Sequence, residues 1–275
     1  MLSVDLSVFC EKGVSVLWSS PIYGERPMTP ELEDLLFRKY PRILAQRQLP
    51  VTASAMGWGC DCRDGWWQVL DALFEVVAWH ADESAIAPET AQVKQKLGSL
   101  RVYWDGDDDV VQAATWVAEE FSTMICEVTG RPGQMTVRGG FIQVLCPEET
   151  EREGAVPTRR PVSGDGAGST PTEAERLRFL LDTYGGVIGG PIQVPPGWLS
   201  IVEAALRAIM AASSDHLMAT SFMERGGELV ITLNRSSERG KGIARCAAAL
   251  AWRTDPITGA LLAPGMIHDT ARPMK

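Results

Sequence analysis

Two closely spaced cysteines are the first residues of this chain whose type and spacing are relevant to chemistry. Cys60 and Cys62 flank Asp61 and are followed by Arg63. Such thiols bind a metal or exchange disulfides when their pKa is lowered and solvent reaches them. The usual redox motif separates its cysteines by two residues rather than one. We therefore predict that both thiols pack near the start of a helix.

A run of aspartates forms a second candidate site, which consists of Asp105, Asp107, Asp108 and Asp109. A calcium loop needs a bidentate Glu at its twelfth position, and that position is Trp116 here. An acidic turn that leads into a helix is the better interpretation, with Asp107 or Asp108 as the N-cap. We predict that the four carboxylates contact a basic protein partner.

Basic residues follow a predicted strand in the second half of the chain. Arg239 and Lys241 lie in a glycine-containing loop before a helix, where backbone amides can bind an anion. The phosphate-loop pattern is incomplete, because no Ser or Thr follows Lys241. A solvated helix start is therefore the favoured interpretation, and Arg239 and Lys241 are only a weak candidate for an anion site.

The three histidines, His80, His216 and His268, lack the sequence neighbours that catalysis requires. A catalytic imidazole normally has a nucleophile and an orienting acid nearby. His216 follows Asp215, but both lie in a predicted solvated loop. We predict that the chain has no catalytic residues.

The elements that position these residues follow from the hydrophobic spacing. Thr29-Pro30-Glu31 is typical of a helix start, and apolar residues three and four apart predict another helix over residues 66–80. Strand formers over residues 100–104 precede the acidic turn, and a helix follows it. Residues 141–145 are predicted as a further strand.

The chain repeats this order of elements in its second half. Gly197-Trp198 repeats Gly65-Trp66, whereas Gly227 and Thr258-Gly259 repeat Gly98 and Thr129-Gly130 at a shared offset of 129 positions. A constant offset over strand, turn and helix favours duplication over independently evolved helix-strand-helix patterns. We predict an α+β fold of two tandem, diverged helix-helix-strand-helix units with an N-terminal β-hairpin.

The predicted boundaries follow from composition. A β-hairpin extension covers residues 1–28, the first α+β unit covers 29–149, and the second, diverged unit covers 174–275. Residues 150–173 are rich in Pro, Gly, Ser and Thr and are predicted as a linker, because such a segment cannot bury a core.

Tryptophans are abundant, with nine in 275 residues. Buried aromatic side chains build cores, but exposed ones are frequent at protein interfaces. Because the repeat places Trp66 and Trp198 at equivalent positions, we predict both in the core. Trp58 and Trp67 are predicted at the surface, as candidate partner contacts.

Three sequence motifs in the first half of the chain, taken in order, resemble motifs of a group of uncharacterised bacteriophage and prophage proteins. They are Gly-Trp-Gly at 57–59 with Gly65-Trp66, Val-Lys-Gln-Lys-Leu-Gly-Ser-Leu-Arg-Val-Tyr at 93–103, and Cys-Glu-Val-Thr-Gly-Arg-Pro-Gly at 126–133. The resemblance covers residues 29–149. It implies a phage or mobile-element context and no particular activity.

The same resemblance implies a small zinc-binding ribbon, because that group carries Cys-x-x-Cys and Cys-x-x-His at the matching positions. This chain has Cys126 and Thr129, then Cys146 and Glu149, at those positions. A closed structural zinc site needs four ligands, and a Thr hydroxyl is a poor one. We expect a degenerate site at Cys126 and Cys146, with no zinc and no other cofactor.

Composition limits the kinds of partner. A net charge of −9 argues against the electrostatic attraction that most nucleic-acid binders use. Six cysteines dispersed through a long chain favour reduced thiols and a cytoplasmic location. The apolar runs are shorter than the roughly 20 residues that span a bilayer, so we expect no membrane insertion.

Together these features favour a non-catalytic, acidic protein-binding factor of phage or mobile-element origin. Such a protein would inhibit a bacterial defence complex or act as an immunity protein that neutralises a toxin. One alternative is an enzyme with an active site in an interdomain cleft, using Asp or Glu with Arg239 and Lys241. Another is a nucleic-acid-associated phage factor, which would present a contiguous basic face.

Overall fold

The computed structural model describes residues 28–158 and 171–264. The predicted N-terminal hairpin therefore lies outside the described residues, apart from Met28. Helices and small sheets alternate along the described chain, so the predicted α+β fold is confirmed.

The first unit begins with helix α1 (Pro30–Lys39), followed by strand β1 (Cys60–Asp61) and helix α2 (Trp67–Glu83). A hairpin of β2 (Glu89–Lys96) and β3 (Ser99–Asp105) precedes helix α3 (Asp109–Ser122). β1 runs parallel to β2, and β2 runs antiparallel to β3. A small module completes the unit, with β4 (Gln134–Arg138), β5 (Phe141–Leu145), α4 (Pro147–Glu153) and β6 (Val156–Pro157).

The second unit has the same order, with α5 (Glu173–Tyr184), β7 (Ile192–Gln193), α6 (Leu199–Ala211), β8 (Ala219–Arg225), β9 (Glu228–Leu233) and α7 (Glu238–Trp252). β7 is parallel to β8, and β8 is antiparallel to β9. Even the irregularities repeat, because the bulge between Thr90 and Gln92 recurs 129 positions later between Ala219 and Ser221. The two units are therefore diverged copies of one structure.

The repeated part of each unit contains two more strands than we predicted, β1 and β2 in the first unit and β7 and β8 in the second. β2 and its counterpart β8 complete a hairpin, so the unit is helix-strand-helix-hairpin-helix rather than helix-helix-strand-helix. β2 is rich in Lys, Gln and Glu, and only Thr90 and Val93 of its side chains are buried. A strand with one solvated face and so few apolar residues gives a weak sequence signal.

The Gly-Trp pairs show why both copies keep these two residues. The indole N–H of Trp66 donates to the Ile125 carbonyl at 3.0 Å, and that of Trp198 donates to the Thr254 carbonyl at 3.2 Å. A Cβ on Gly65 would lie 2.4 Å from the Cys126 carbonyl oxygen. Both Trp side chains are buried, which confirms the prediction that they belong to the core.

The two units share one hydrophobic core. A single cluster of buried side chains includes Phe74 and Phe121 of the first unit and Leu206 and Leu250 of the second. Helix α3 packs directly on α7, where a Cβ on Gly242 would lie 2.3 Å from the Val110 carbonyl oxygen. The units therefore form one body rather than two separately packed cores.

Part of the predicted linker has regular structure. Residues 150–153 lie in α4, and β6 pairs with β4. Pro147 begins α4, and Gly154 ends it with a left-handed φ of 63°, so this polar helix has favourable residues at both ends. Glu173 begins α5, where Thr172 and Glu175 form a capping box.

Candidate interaction surface

The acidic turn joins β3 to α3, and one of its aspartates is structural. Asp108 caps α3, because its Oδ1 accepts hydrogen bonds from the amides of Val110 at 3.0 Å and Val111 at 3.1 Å. Its Oδ2 lies 2.7 Å from Nε2 of the buried His80. Burial opposes ionisation of Asp108, but the hydrogen bonds from His80 and the α3 amides hold its pKa below the usual value.

The other three aspartates of the turn are exposed. Asp105 Oδ2 accepts a hydrogen bond from Gln46 Nε2 at 2.6 Å. Asp109 accepts one from Arg239 Nη2 at 2.7 Å, although the Asp109 side chain remains 52% exposed. Of the four predicted partner contacts, Asp105, Asp107 and Asp109 are therefore accessible, whereas Asp108 mainly holds the start of α3.

The two candidate surface tryptophans occupy different environments. Trp58 is 60% exposed at the end of a 3₁₀ turn, Ala55–Trp58. Trp67 is buried, and its indole N–H donates to the Leu32 carbonyl at 2.7 Å. The prediction of Trp67 as a surface residue is wrong. Trp67 lies in the first turn of α2, and from there its indole reaches a main-chain carbonyl of α1. A tryptophan whose N–H is satisfied inside the protein is a packing residue.

Trp58 belongs to an exposed apolar group with Leu49 and Val51, which are each 44% exposed. A Cβ on Gly57 would lie 2.9 Å from Val51 Cγ1, so the backbone beside Trp58 packs closely on Val51. We call Leu49, Val51 and Trp58 the apolar patch. Trp58 ends its 3₁₀ turn, and Leu49 and Val51 lie in the segment that precedes this turn.

Hydrogen bonds link the apolar patch to the acidic turn. Ser54 caps the 3₁₀ turn that ends in Trp58, and its hydroxyl donates to Gln46 Oε1 at 2.7 Å. The amide nitrogen of Gln46 in turn donates to Asp105. Gln46 and Ser54 are both buried. A polar relay of two buried side chains therefore positions the acidic turn relative to the segment that carries Trp58.

The predicted anion site at Arg239 and Lys241 is already neutralised. Arg239 donates to Asp109 and, at 2.9 Å, to Oδ1 of Asp215, and its side chain is only 23% exposed. Lys241 Nζ lies 3.7 Å from Glu238 and 5.1 Å from the centre of the Trp79 ring. An anion would have to displace these carboxylates, so the geometry does not favour an anion site at these residues.

Three of the four positions of the implied zinc ribbon come together, those of Cys126, Thr129 and Cys146. Thr129 Oγ1 donates to Cys146 Sγ at 3.7 Å, and Cys126 and Cys146 pack in one small buried cluster with Leu145. Glu149, however, is paired with Arg152, whose Nε donates to it at 2.6 Å. Across residues 28–158 and 171–264, no three or more His, Cys, Asp and Glu side chains are arranged to hold a metal ion. The residues present do not fit zinc.

In the second unit, hydrogen bonds to an aspartate stabilise the turn that corresponds to the Cys126 turn of the first unit. Asp255 stands where the first unit has Cys126, and its Oδ1 accepts from the amide and the hydroxyl of Thr258 at 2.7 and 2.9 Å. The main-chain bond from Gly130 to the Cys126 carbonyl recurs from Gly259 to Asp255. An aspartate-capped turn thus preserves the geometry without cysteine.

Two cysteines and one carboxylate that could take part in chemistry, Cys60, Cys62 and Glu127, are buried. Burial raises the pKa of the Cys60 and Cys62 thiols, so neither has the thiolate character of a reactive cysteine. Burial also raises the pKa of Glu127 to about 7, partly offset by Arg63. Sequence reasoning missed Glu127, because nothing in its neighbours indicates that a carboxylate at that position is enclosed. His216 is exposed in a loop, as predicted, and His268 lies outside the described residues.

Searches of protein-family models, curated proteins and solved structures found no match to this chain. Within the two described ranges, no helix is both long and apolar enough to cross a lipid bilayer.

Proposed function

We propose that this chain is a non-catalytic protein-binding factor that presents the acidic turn and the apolar patch to a basic protein. The observation that carries the proposal is the hydrogen-bonded link between these two features through Gln46 and Ser54. An exposed aromatic side chain beside fixed carboxylates has the chemistry of an interface anchor with charged neighbours. The partner would be a bacterial protein, which the chain inhibits or neutralises.

Two further observations support a binding role over catalysis. The thiols of Cys60, Cys62 and Cys246 are buried, with raised pKa values. His80 is buried against Asp108, which serves as a helix cap. These groups act in packing and capping, and none of them combines exposure with an activated form.

The motifs of the first unit that resemble those of phage proteins support a mobile-element origin. The net charge of −9 supports a basic partner. A defence-system inhibitor and an immunity protein have these features in common. Both would act by covering a basic surface of a bacterial protein.

The test is capture from a bacterial extract on the immobilised protein, with quantitative mass spectrometry of the bound proteins. One variant combines Asp105→Asn, Asp107→Asn and Asp109→Asn, and a second carries Trp58→Ala. Asp108 is left intact because it caps α3. The matched control removes three exposed charges elsewhere, through Asp34→Asn, Glu151→Gln and Asp182→Asn.

The proposal predicts that a specific protein bound by wild type is retained by the control and lost by both test variants. Equal capture by all four proteins would contradict it, as would turnover of a substrate by the purified chain.

A further inference from the structure

Two Asp-Gly pairs of the described chain lie in different environments. They are Asp64-Gly65, just before helix α2, and Asp105-Gly106, in the acidic turn; a third, Asp165-Gly166, lies outside the described residues. In such a pair the glycine nitrogen can reach the carboxyl carbon of the aspartate, because glycine has no side chain to hinder the approach. The reaction is intramolecular, so local geometry decides whether it proceeds.

The pair at Asp64-Gly65 is held by hydrogen bonds and by packing. The Gly65 amide donates to the Glu127 carbonyl at 2.8 Å, and Asp64 Oδ1 accepts from the Thr29 amide at 2.7 Å. Gly65 is buried, and a Cβ built on it would lie 2.4 Å from the Cys126 carbonyl oxygen. Attack by the Gly65 nitrogen would break a main-chain hydrogen bond and would need space that the packing does not leave.

The pair at Asp105-Gly106 is open. Both residues are exposed, and Gly106 has a left-handed φ of 79°. The atom nearest to a Cβ built on Gly106 is the Ala87 carbonyl oxygen, at 3.4 Å. Within residues 28–158 and 171–264, the Gly106 amide has no hydrogen-bond acceptor. The nitrogen and the carboxyl carbon that the reaction joins are therefore accessible at this pair.

We propose that Asp105-Gly106 is a site of spontaneous isomerisation to isoaspartate, whereas Asp64-Gly65 is protected from the same reaction. The Gly106 nitrogen attacks Cγ of Asp105, and the new N–Cγ bond closes a five-membered succinimide ring. The bond between Cγ and one carboxyl oxygen breaks. That oxygen leaves as water, with the amide proton of Gly106 and the proton of the carboxyl group, and no oxidant or reductant takes part.

Water then opens the ring at either of its two carbonyl carbons. Addition at the main-chain carbonyl of Asp105 breaks the bond from that carbon to the Gly106 nitrogen and gives isoaspartate, whereas addition at Cγ restores aspartate. The water released in the first step balances the water consumed in the second, so the product has an unchanged mass. In isoaspartate the main chain runs through Cβ and Cγ, and the free carboxylate is attached directly to Cα.

This change would alter the part of the surface that Gln46 positions. The added main-chain atom lengthens the connection between β3 and α3, and the carboxylate on its shorter arm loses the hydrogen bond that Asp105 Oδ2 now accepts from Gln46 at 2.6 Å. Gln46 also accepts from Ser54, which caps the turn that ends in Trp58. The modification would therefore separate the acidic turn from the apolar patch. This consequence rests on the proposed function, whereas the isomerisation itself does not.

The first test follows isoaspartate formation in the full chain without any partner. One sample is kept folded at neutral pH below its Tm, and a matched sample is kept unfolded in guanidinium chloride. Peptide mass spectrometry with electron-transfer fragmentation distinguishes isoaspartate from aspartate and measures Asp64 and Asp105 separately. In the folded protein, isoaspartate should form at least about tenfold faster at Asp105, because reaction at Asp64 requires a local opening.

In the unfolded sample the two rates should agree within about threefold, because the packing that protects Asp64 is gone. Equal rates at the two sites in the folded protein would overturn the proposal. So would isoaspartate that forms at Asp105 only after unfolding.

The second test uses two variants of the reactive pair. Asp105→Glu keeps the negative charge but would have to close a less favourable six-membered ring, and Gly106→Ala places a methyl group beside the attacking nitrogen. Each should slow isoaspartate formation at position 105 at least about fivefold. The control Glu151→Gln, which removes an exposed carboxylate elsewhere, should leave the rate unchanged. An undiminished signal at position 105 in both variants would overturn the proposal.

The last test examines the link to the apolar patch. Hydrogen exchange in the 3₁₀ turn Ala55–Trp58 should be faster in the purified isoaspartate form than in fresh protein. Treatment with protein-isoaspartate methyltransferase, which returns isoaspartate to aspartate, should restore the slower exchange. Unchanged exchange would overturn the effect on the surface. If no partner is captured from the extract, the proposed function fails, but the isoaspartate measurements still decide the modification.

Discussion

Arg253 of the second unit and Asp71 of the first are joined by two hydrogen bonds of 2.6 and 2.8 Å, although 182 positions separate them. Both side chains are almost completely enclosed. Because a buried carboxylate depends on such a partner, this pair couples the stability of the two units.

Asp71→Asn should therefore destabilise the whole protein more than the equivalent Glu203→Gln. Asp71 is fully buried, and its replacement leaves the buried guanidinium of Arg253 without one of its carboxylate partners. We therefore expect the free energy of unfolding to fall by about 3–5 kcal/mol. Glu203 pairs with a partly exposed arginine, for which about 1–2 kcal/mol is expected. Urea unfolding measures both, and equal losses would contradict the difference in burial.

Stability should fall as pH rises towards neutrality, because of Glu127. Burial raises its pKa to about 7 from the usual value of 4.5, so the folded state binds a proton more tightly than the unfolded state. The stabilisation that this proton gives the folded state is fully present below pH 4.5 and is lost as pH rises through 7. It amounts to about 3 kcal/mol. Glu127→Gln should reduce the difference in unfolding free energy between pH 5 and pH 8, and Glu151→Gln, an exposed control, should not.

Leu97→Asn should stabilise the β2–β3 hairpin. Leu97 has a φ of 54° and is 65% exposed, and the following Gly98 has a φ of 76°. Two successive positive φ values match the turn that favours Asn-Gly. The second unit already has glycine at both positions, Gly226 and Gly227. We expect a gain of about 1 kcal/mol in unfolding free energy, and a loss would show that the Leu97 side chain has a packing role.

Gly197→Ala should disrupt the second unit as Gly65→Ala disrupts the first. The added methyl would lie 2.4 Å from a carbonyl oxygen in both cases, that of Asp255 or Cys126. Such overlap costs about 1–3 kcal/mol or forces the backbone to move. Gly185→Ala is the control, because a methyl group added there would have no atom within 4 Å. Thermal unfolding of the three variants should separate the first two from the third.

The repeat was predictable from sequence because its key residues have strict backbone requirements. Gly65-Trp66 and Gly197-Trp198 keep their spacing to the turns that they contact. No residue larger than glycine fits at the first position, and a shorter side chain than tryptophan would not reach the carbonyl at the second. The polar strand β2 was missed because only one of its faces is buried. Trp67 was misplaced because a surface and a buried tryptophan at a helix start look alike in sequence.

The candidate surface was predictable only in part. The aspartate run indicated an acidic turn and a helix cap, and Asp108 confirms the cap. The link from Asp105 through Gln46 to Ser54 joins segments up to 59 positions apart, and it depends on tertiary packing. The pairing of Arg253 with Asp71 likewise has no local sequence signal.

The most direct measurement is the dissociation constant of the captured partner against salt concentration, for wild type and for the variant with Asp105→Asn, Asp107→Asn and Asp109→Asn. We predict that the variant binds at least about tenfold more weakly at low salt and that the two proteins converge at high salt, because exposed charges are screened. Identical constants with identical salt dependence would contradict a role for the acidic turn in binding.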